Sequence, residues 1–332
     1  MLETKEILVN VEGLGKKRIY ATFSQFTADA LAMNQMFVGL IESFSGDYCC
    51  PICYASKLDM GSYFYETSFE KRTPEYHKRD LDLIDVENKK RENGEKAAIH
   101  INGVKTNTLL NEANFFHFTT NCTIDVMHTG PEGNIPYEVG AVLYDFIKIR
   151  KLFSWDDLNN RVRWLFLGLE VDKGSTPCEF NSMKAQHKGL SPNPTAVEML
   201  TLLNYLPLLI GHFVSEGDSH WKFLLEIHDI AHLMFAPRLT DSLLTTFTEL
   251  YARHLKLFSQ IFPHLYISRP KQHFLVHFNK QSASQRGRTR GFRRIRLFLF
   301  SYKIIKFDKQ ILHLVRQFNS SRLRQFATLY SL

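Results

Sequence analysis

The texture of the chain breaks near residue 279, and this break sets what can fold together. From Asn279 to Leu332 there are 13 Lys and Arg against a single acid, Asp308, a net of +12. The 278 residues before it hold 28 bases and 33 acids, a net of −5. The overall charge of +7 therefore belongs to the tail, and the two parts need separate readings. With 44% hydrophobic and 13% aromatic residues in 332, there is ample material for a buried core. The length suits one large domain or two ordinary ones. Nowhere do about 18 apolar residues run without a charge, so no membrane-spanning helix is expected. The N-terminus, MLETKEILVNVEG, carries acids and no long apolar stretch, and does not read as a secretory signal. Five cysteines, two of them in a C-x-x-C, point to a reducing compartment and a metal rather than a disulfide framework.

Residues 1–27 read as strands, because ILVNV and RIYATF flank a Glu-Gly-Leu-Gly turn. Helical spacing follows over 28–44, then a cysteine-bearing loop over 47–57. A segment dense in both charges spans 66–98 and reads as an exposed helix or an irregular insertion. NFFHFTT, within 105–128, reads as a strand leading into Asp125. The periodicity predicts helices over 136–151, 155–165, 194–213, 219–235 and 240–261, with Pro207, Pro237 and Pro263 kinking or ending them. HFLVHF, 273–278, reads as a strand. QSASQRGRTRGFRRIR then opens the basic tail.

Three constellations can carry chemistry. Cys50-Pro51-Ile52-Cys53 can present two thiolates to one zinc ion, because a tight turn points both sulfurs the same way. Two more ligands are then required, with Cys49, His77 and His128 as candidates; the bland reading is two half-buried cysteines. Asp125-Val126-Met127-His128 sets a carboxylate beside an imidazole at a strand end, which suits metal-assisted phosphoryl chemistry. The bland alternative is a helix cap and an ordinary histidine. Asp29 stands at another strand-to-helix junction and reads as an N-cap or a metal-binding carboxylate. His228 and His232 are four apart on one helix, a spacing that can bind a metal, but no carboxylate ligand pattern accompanies them and the bland reading is satisfied or exposed histidines. In the tail, Arg286, Arg288, Arg290, Arg293, Arg294 and Arg296 surround Phe292. Such a run binds nucleic acid through phosphates, serves as a nuclear-import signal, or is a solvated tail.

The order of these pieces resembles the transposases of the CACTA (En/Spm) superfamily and their animal relatives. The segment ADALAMNQMFVGLIESFSGDYCCPICYASK is similar to the start of that catalytic domain. VKTNTLLNEANFFHFTTNCTIDVMHTGPEGNIPYEVGAVL is similar to its Asp-x-Met-His and Glu-Gly segment. LLNYLPLLIGHFV, HWKFLLEIHDIAHLMFAPRLT and LYARHLKLFSQIFPHLYISRPKQHFLVHF resemble its helical region and the Pro-Lys-x-His-Phe-x-x-His element. The likeness covers about residues 1–278.

The resemblance implies an α/β fold with an RNase H-like core over 1–135 that carries the Cys-x-x-Cys loop. A large helical region over 136–262, a returning core strand over 263–278 and a basic, irregular or disordered tail over 279–332 follow. It implies catalytic acids at Asp29 and Asp125, with His128 completing the signature, and two Mg2+ or Mn2+ ions between them. It also implies zinc at Cys50 and Cys53 with His77 as a further ligand. DNA is the implied partner, self-association is an option, and the location is nuclear, with cytoplasmic as the alternative. The departure lies after HFLVHF, where the family places its third acid. No acid occurs between Gln281 and Phe307. The expectation is therefore a transposase-derived DNA-binding protein that no longer cuts. The alternatives are an active DDE nuclease borrowing Glu226, Asp229 or Glu249, or a nucleic-acid-binding module acting through the tail.

Overall fold

The computed structural model describes residues 7–13, 15–19, 25–42, 46–166, 179–180, 182–183, 190–191, 193–236, 238–265 and 269–279. Met1–Met234 and Thr240–Gln281 make one compact unit, which contains everything discussed below. Phe235–Leu239 belongs with the chain from Ser282 onward to a second unit, nearly all of it outside the described residues. The tail arginines Arg286, Arg288, Arg290, Arg293, Arg294 and Arg296 lie outside the described residues.

The fold is mixed α/β, and about 61% of the described residues are helical, with small sheets. Strands β1 (Ile7–Val11) and β2 (Gly15–Ile19) form an antiparallel hairpin around the expected turn. Strand β3 (Phe26–Ala28) leads into the single turn α1 (Ala30–Ala32), which continues as a wider π-helical stretch to Val38. The predicted helix to residue 44 stops short because Gly39 turns left-handed, at φ 66°. A Cβ there would lie 2.1 Å from the Thr106 carbonyl oxygen, so only glycine lets the loop pass.

Helices α2 (Lys57–Ser62) and α3 (Pro74–Glu92) follow the cysteine loop. Each starts on a hydroxyl cap, Ser56 and Thr73, and α3 has proline in its first turn. NFFHFTT is not a strand. It ends in the one-turn helix α4 (Phe118–Asn121), and the strand β4 (Cys122–Ile124) begins only after it. Exposed Phe115 with buried Phe116 and Phe118 mimics strand alternation, but the His117 side chain accepts from Thr119 N and caps a helical turn instead.

Beyond β4 come the short α5 (Val126–Thr129), α6 (Ile135–Tyr144), α7 (Trp155–Phe166), β5 (Ser182–Met183), β6 (Leu190–Ser191), α8 (Ala196–Ile210), α9 (Ser219–Met234) and α10 (Asp241–Ile261). The longer helices among them match the periodicity closely. Ala196–Phe213 is long and apolar enough to cross a membrane by length and composition, with mean hydropathy 1.3, and half of it is buried inside the protein. It packs on α7 and α9 as a core helix.

HFLVHF is helical. Helix α11 (Pro270–Val276) starts on Pro270 and runs through His273, and every residue from Gln272 to Phe278 is buried. A segment buried all round shows no amphipathic period, so its pattern fits a strand as well as a helix.

The body's polar centre is a buried triad. His254 on α10 is fully buried and sits 2.9 Å from Glu138 Oε2 and 3.6 Å from Glu226 Oε2. Burial alone would lower its pKa, but the charge and hydrogen bond of Glu138, with Glu226 behind, hold it above the usual imidazole range. Glu138 also accepts from Gln272 Nε2 at 2.7 Å, which ties α6 to α11.

Candidate metal centre and acidic pair

Two sites form, and α11 touches both. The first is a buried group of Cys50, Cys53, His273 and His277, whose ligand atoms all lie within 4.8 Å of one another. Cys53 Sγ is 3.1 Å from His273 Nε2, and the two imidazole Nε2 atoms are 3.3 Å apart. A tetrahedral zinc ion, about 2.3 Å from sulfur and about 2.0 Å from nitrogen, needs edges of roughly 3.3–3.8 Å between its ligands. Two soft thiolates with two imidazoles are also the donor set that such an ion prefers. The group could hold a metal such as zinc.

The local chain is built to aim these atoms. Ile52 N–H donates to Cys50 Sγ at 3.4 Å, so the turn points this sulfur back toward the backbone. Arg72, buried, donates through Nε to the Cys50 carbonyl and through Nη2 to the carbonyls of Tyr48 and Asn102, each at 2.8 Å. Tyr48 has a positive φ of 61°, a strained turn that this clasp holds shut. The spacing of four puts His273, on α11, and His277, which caps the end of α11, on one face. Glu66 lies 3.7 Å from His277 Nδ1, the ring atom facing away from the group, where a carboxylate orients a metal-binding histidine.

Electrostatics agree with the chemistry. Burial would raise the Cys50 thiol, yet the hydrogen bond from Cys53 and the fields of His273 and His277 carry it well below the usual range. Burial and the Cys50 neighbour push Cys53 up. Burial depresses His273, while the Cys50 thiolate and Glu66 overcome burial to lift His277 to about 9. Zinc bound here would replace two protons, one from the Cys53 thiol and one from the His277 imidazole, and leave two thiolates and two neutral imidazoles around the ion. Cys49, buried beside them, is pushed up to about 12 by burial and by Cys50, and is outside the ligand group.

His77 is not one of the four. It is buried on α3, with its ring edge-on to Phe118 at 4.7 Å and near His117 at 5.3 Å. Burial, then His117 and Arg72, lower it to about 4, so it stays neutral. The ligands the sequence reading missed are His273, 220 residues beyond Cys53, and His277 one helical turn later. Their four-residue spacing was the available signal, and reading the segment as a strand hid it.

The second site joins the two aspartates. Strands β3 and β4 pair in parallel, with Ala28 opposite Ile124. Asp29 and Asp125 each come one residue later, so neighbouring parallel strands deliver both carboxylates at the same end. Both also cap the short helices that follow, Asp29 accepting from Leu31 N and Asp125 from Met127 N and His128 N. The cap reading therefore holds for both aspartates.

His128 sits among acids. Its Nδ1 is 2.5 Å from Asp125 Oδ2 and its Nε2 is 3.4 Å from Glu132 Oε2. The hydrogen bond to Asp125 lifts it above the usual imidazole range, and the charges of Asp125, Glu132 and Asp29 add to this against its partial burial. Lys271 Nζ on α11 donates to the His128 carbonyl at 2.8 Å. Gly133 makes room for this contact: a Cβ there would lie 2.7 Å from the His128 oxygen and 2.9 Å from Lys271 Cδ.

Asp29 and Asp125 do not gather a third ligand into a compact set; among the described residues the cysteine–histidine group alone does so. The Mg2+ or Mn2+ expectation has no such support. Glu226 pairs with Arg253 and His254, Asp229 lies beside His228, and Glu249 accepts from Tyr65. A small apolar hollow beside Asp125 is lined by Ala28, Ile124, Pro51, Ile52 and Phe274. Compared with known protein families and with curated proteins, the chain finds no match.

Proposed function

We propose that this chain is a transposase-derived DNA-binding protein of the CACTA type, with an RNase H-like arrangement at its centre and no remaining cleavage activity. The observation that carries the reading is the parallel pairing of β3 with β4, which sets Asp29 and Asp125 side by side with His128 on the second acid. Two carboxylates at the ends of adjacent parallel strands are what a two-ion phosphoryl-transfer site needs as its floor. A third carboxylate is needed to close the cage, and the acids weighed for that place are engaged elsewhere. Zinc in the Cys50, Cys53, His273 and His277 group is the structural part of the proposal. Its role is to fasten the cysteine loop to α11.

The test uses the full chain loaded with zinc. It is titrated against a labelled DNA duplex at several salt concentrations, and incubated with supercoiled plasmid in Mg2+ and then Mn2+. Salt-sensitive binding without nicking is expected. Nicking that disappears in Asp29→Ala and Asp125→Ala would replace this reading with an active nuclease. No DNA binding at low salt would refute it. Binding that is lost on deleting 279–332 would move the function to the basic tail.

A further inference from the structure

Helix α9 carries a second pair of histidines, remote in sequence from both sites above. His228 and His232 are one turn apart, and their Nε2 atoms face each other at 3.1 Å. The ring centroids are 4.3 Å apart and the planes are inclined by 50°. Two nitrogens on one cation, each about 2.0–2.1 Å from it at angles between square and tetrahedral, stand roughly 2.8–3.4 Å apart. The observed separation is that of two neighbouring corners of a coordination sphere.

The far side of the pair fits as well. His228 Nδ1 lies 3.5 Å from the Asp229 carboxylate, which favours a proton on Nδ1 and leaves Nε2 as the ligand atom. The His228 side chain is only partly exposed, which limits its rotamers while leaving an approach from solvent. Both ligands stand on a rigid element, since α9 is packed along α10 and against α6 and α8.

We propose that His228 and His232 form a second metal site, an open two-histidine clamp for a borderline divalent cation such as Ni2+, Cu2+ or Zn2+, with water completing the coordination. Binding needs no net loss of protons. The ring that holds its proton at Nε2 shifts to the Nδ1–H tautomer, and the cation takes the freed lone pair. The clamp differs in kind from the cysteine–histidine group: it has two ligands rather than four, borders solvent and has no thiolate. It binds more weakly and reversibly, and it staples one turn of α9. The inference does not depend on the DNA reading.

The experiment uses untagged full chain already loaded with zinc at the cysteine group. Ni2+ is titrated by calorimetry while near-ultraviolet absorption is followed. One saturable nickel is expected, without the thiolate-to-nickel band that entry at Cys50 and Cys53 would produce. His228→Ala and His232→Ala should each weaken it at least about tenfold. Unchanged affinity in either variant, growth of the thiolate band, or no saturable binding would each overturn the proposal. A measurement on the unmutated protein guards against a variant that does not fold. Ni2+ should protect His228 and His232 from diethyl pyrocarbonate, and equal modification with and without nickel would sink the idea.

Discussion

Removing the metal from the Cys50, Cys53, His273 and His277 group should loosen the whole body, because the site is a cross-link between distant parts of the chain. Cys53 and His273 are 220 residues apart. Closing a loop of that length removes unfolded-chain entropy worth about 5 kcal/mol by the relation used for disulfides. For a domain of this size each kcal/mol moves Tm by roughly 2 °C, so full loss corresponds to a fall on the order of 10 °C. The buried Cys50 thiolate facing the His277 imidazolium offsets part of this, which makes the figure an upper one. Zinc content of the purified protein is measured first, and about one equivalent is expected at the cysteine group. The protein is then melted with and without a strong chelator, followed by circular dichroism, and the metal is restored. Cys53→Ala should reproduce the chelated curve and no longer respond to chelator. Zinc absent from the purified protein, or a melt that chelation leaves in place, would refute the cross-link argument.

Three other consequences can be checked on the same protein. Glu138→Gln keeps the shape but strips the charge facing buried His254, and should cost about 3 kcal/mol in urea unfolding; a loss under about 1 kcal/mol would mean that the triad is not ionic. His77 has a folded pKa of about 4 against an ordinary value near 6.5, so its contribution to stability is complete above pH 6.5 and is lost as pH falls toward 4. The span amounts to roughly 3 kcal/mol, and His77→Phe should flatten that limb of the stability–pH curve. Lys271→Met removes the bond to the His128 carbonyl, worth about 1 kcal/mol. It should speed amide exchange across residues 126–134 while leaving α9 and α10 protected.

Most of the helical framework was legible because it obeys simple periodicity and capping. Thr195 and Thr240 open α8 and α10 as hydroxyl caps, and the apolar residues that follow recur at helical steps. The strand pair β3–β4 was not legible from pattern, since its three-residue members lie 96 positions apart and the bond between Thr27 and Thr123 leaves no local trace. Only the resemblance placed Asp29 with Asp125. The metal group was half legible. Cys50 and Cys53 announce themselves by spacing, whereas the four-residue spacing of His273 and His277 means a shared ligand face only if the segment is a helix. His77 attracted attention because it follows the cysteines closely, yet it packs between His117 and Phe118. Pro270 was the overlooked clue. A proline at the first position of a buried run favours a helix start, and a helix brings His273 and His277 within one turn of each other. On a strand, residues four apart would lie about 13 Å from each other, too far for one ion.

Helix α11 explains why the two sites belong to one argument. Within eight residues it supplies Lys271 to the His128 carbonyl, Gln272 to Glu138, His273 and His277 to the metal group, and Phe274 to the hollow beside Asp125. A segment of seven helical residues is too short to be stable alone, so its position rests on these contacts. A metal held by His273 and His277 fixes α11 against the cysteine loop, and α11 in turn fixes the backbone that carries His128. The order of dependence follows. Disturbing the metal group should disturb the acidic pair, whereas replacing Asp29 or Asp125, which sit at the far ends of this chain of contacts, should leave the metal group intact. Zinc retained in Asp125→Ala, set beside increased amide exchange at residues 126–134 in chelated wild type, is the asymmetry this reasoning requires. A loss of zinc in Asp125→Ala would reverse it.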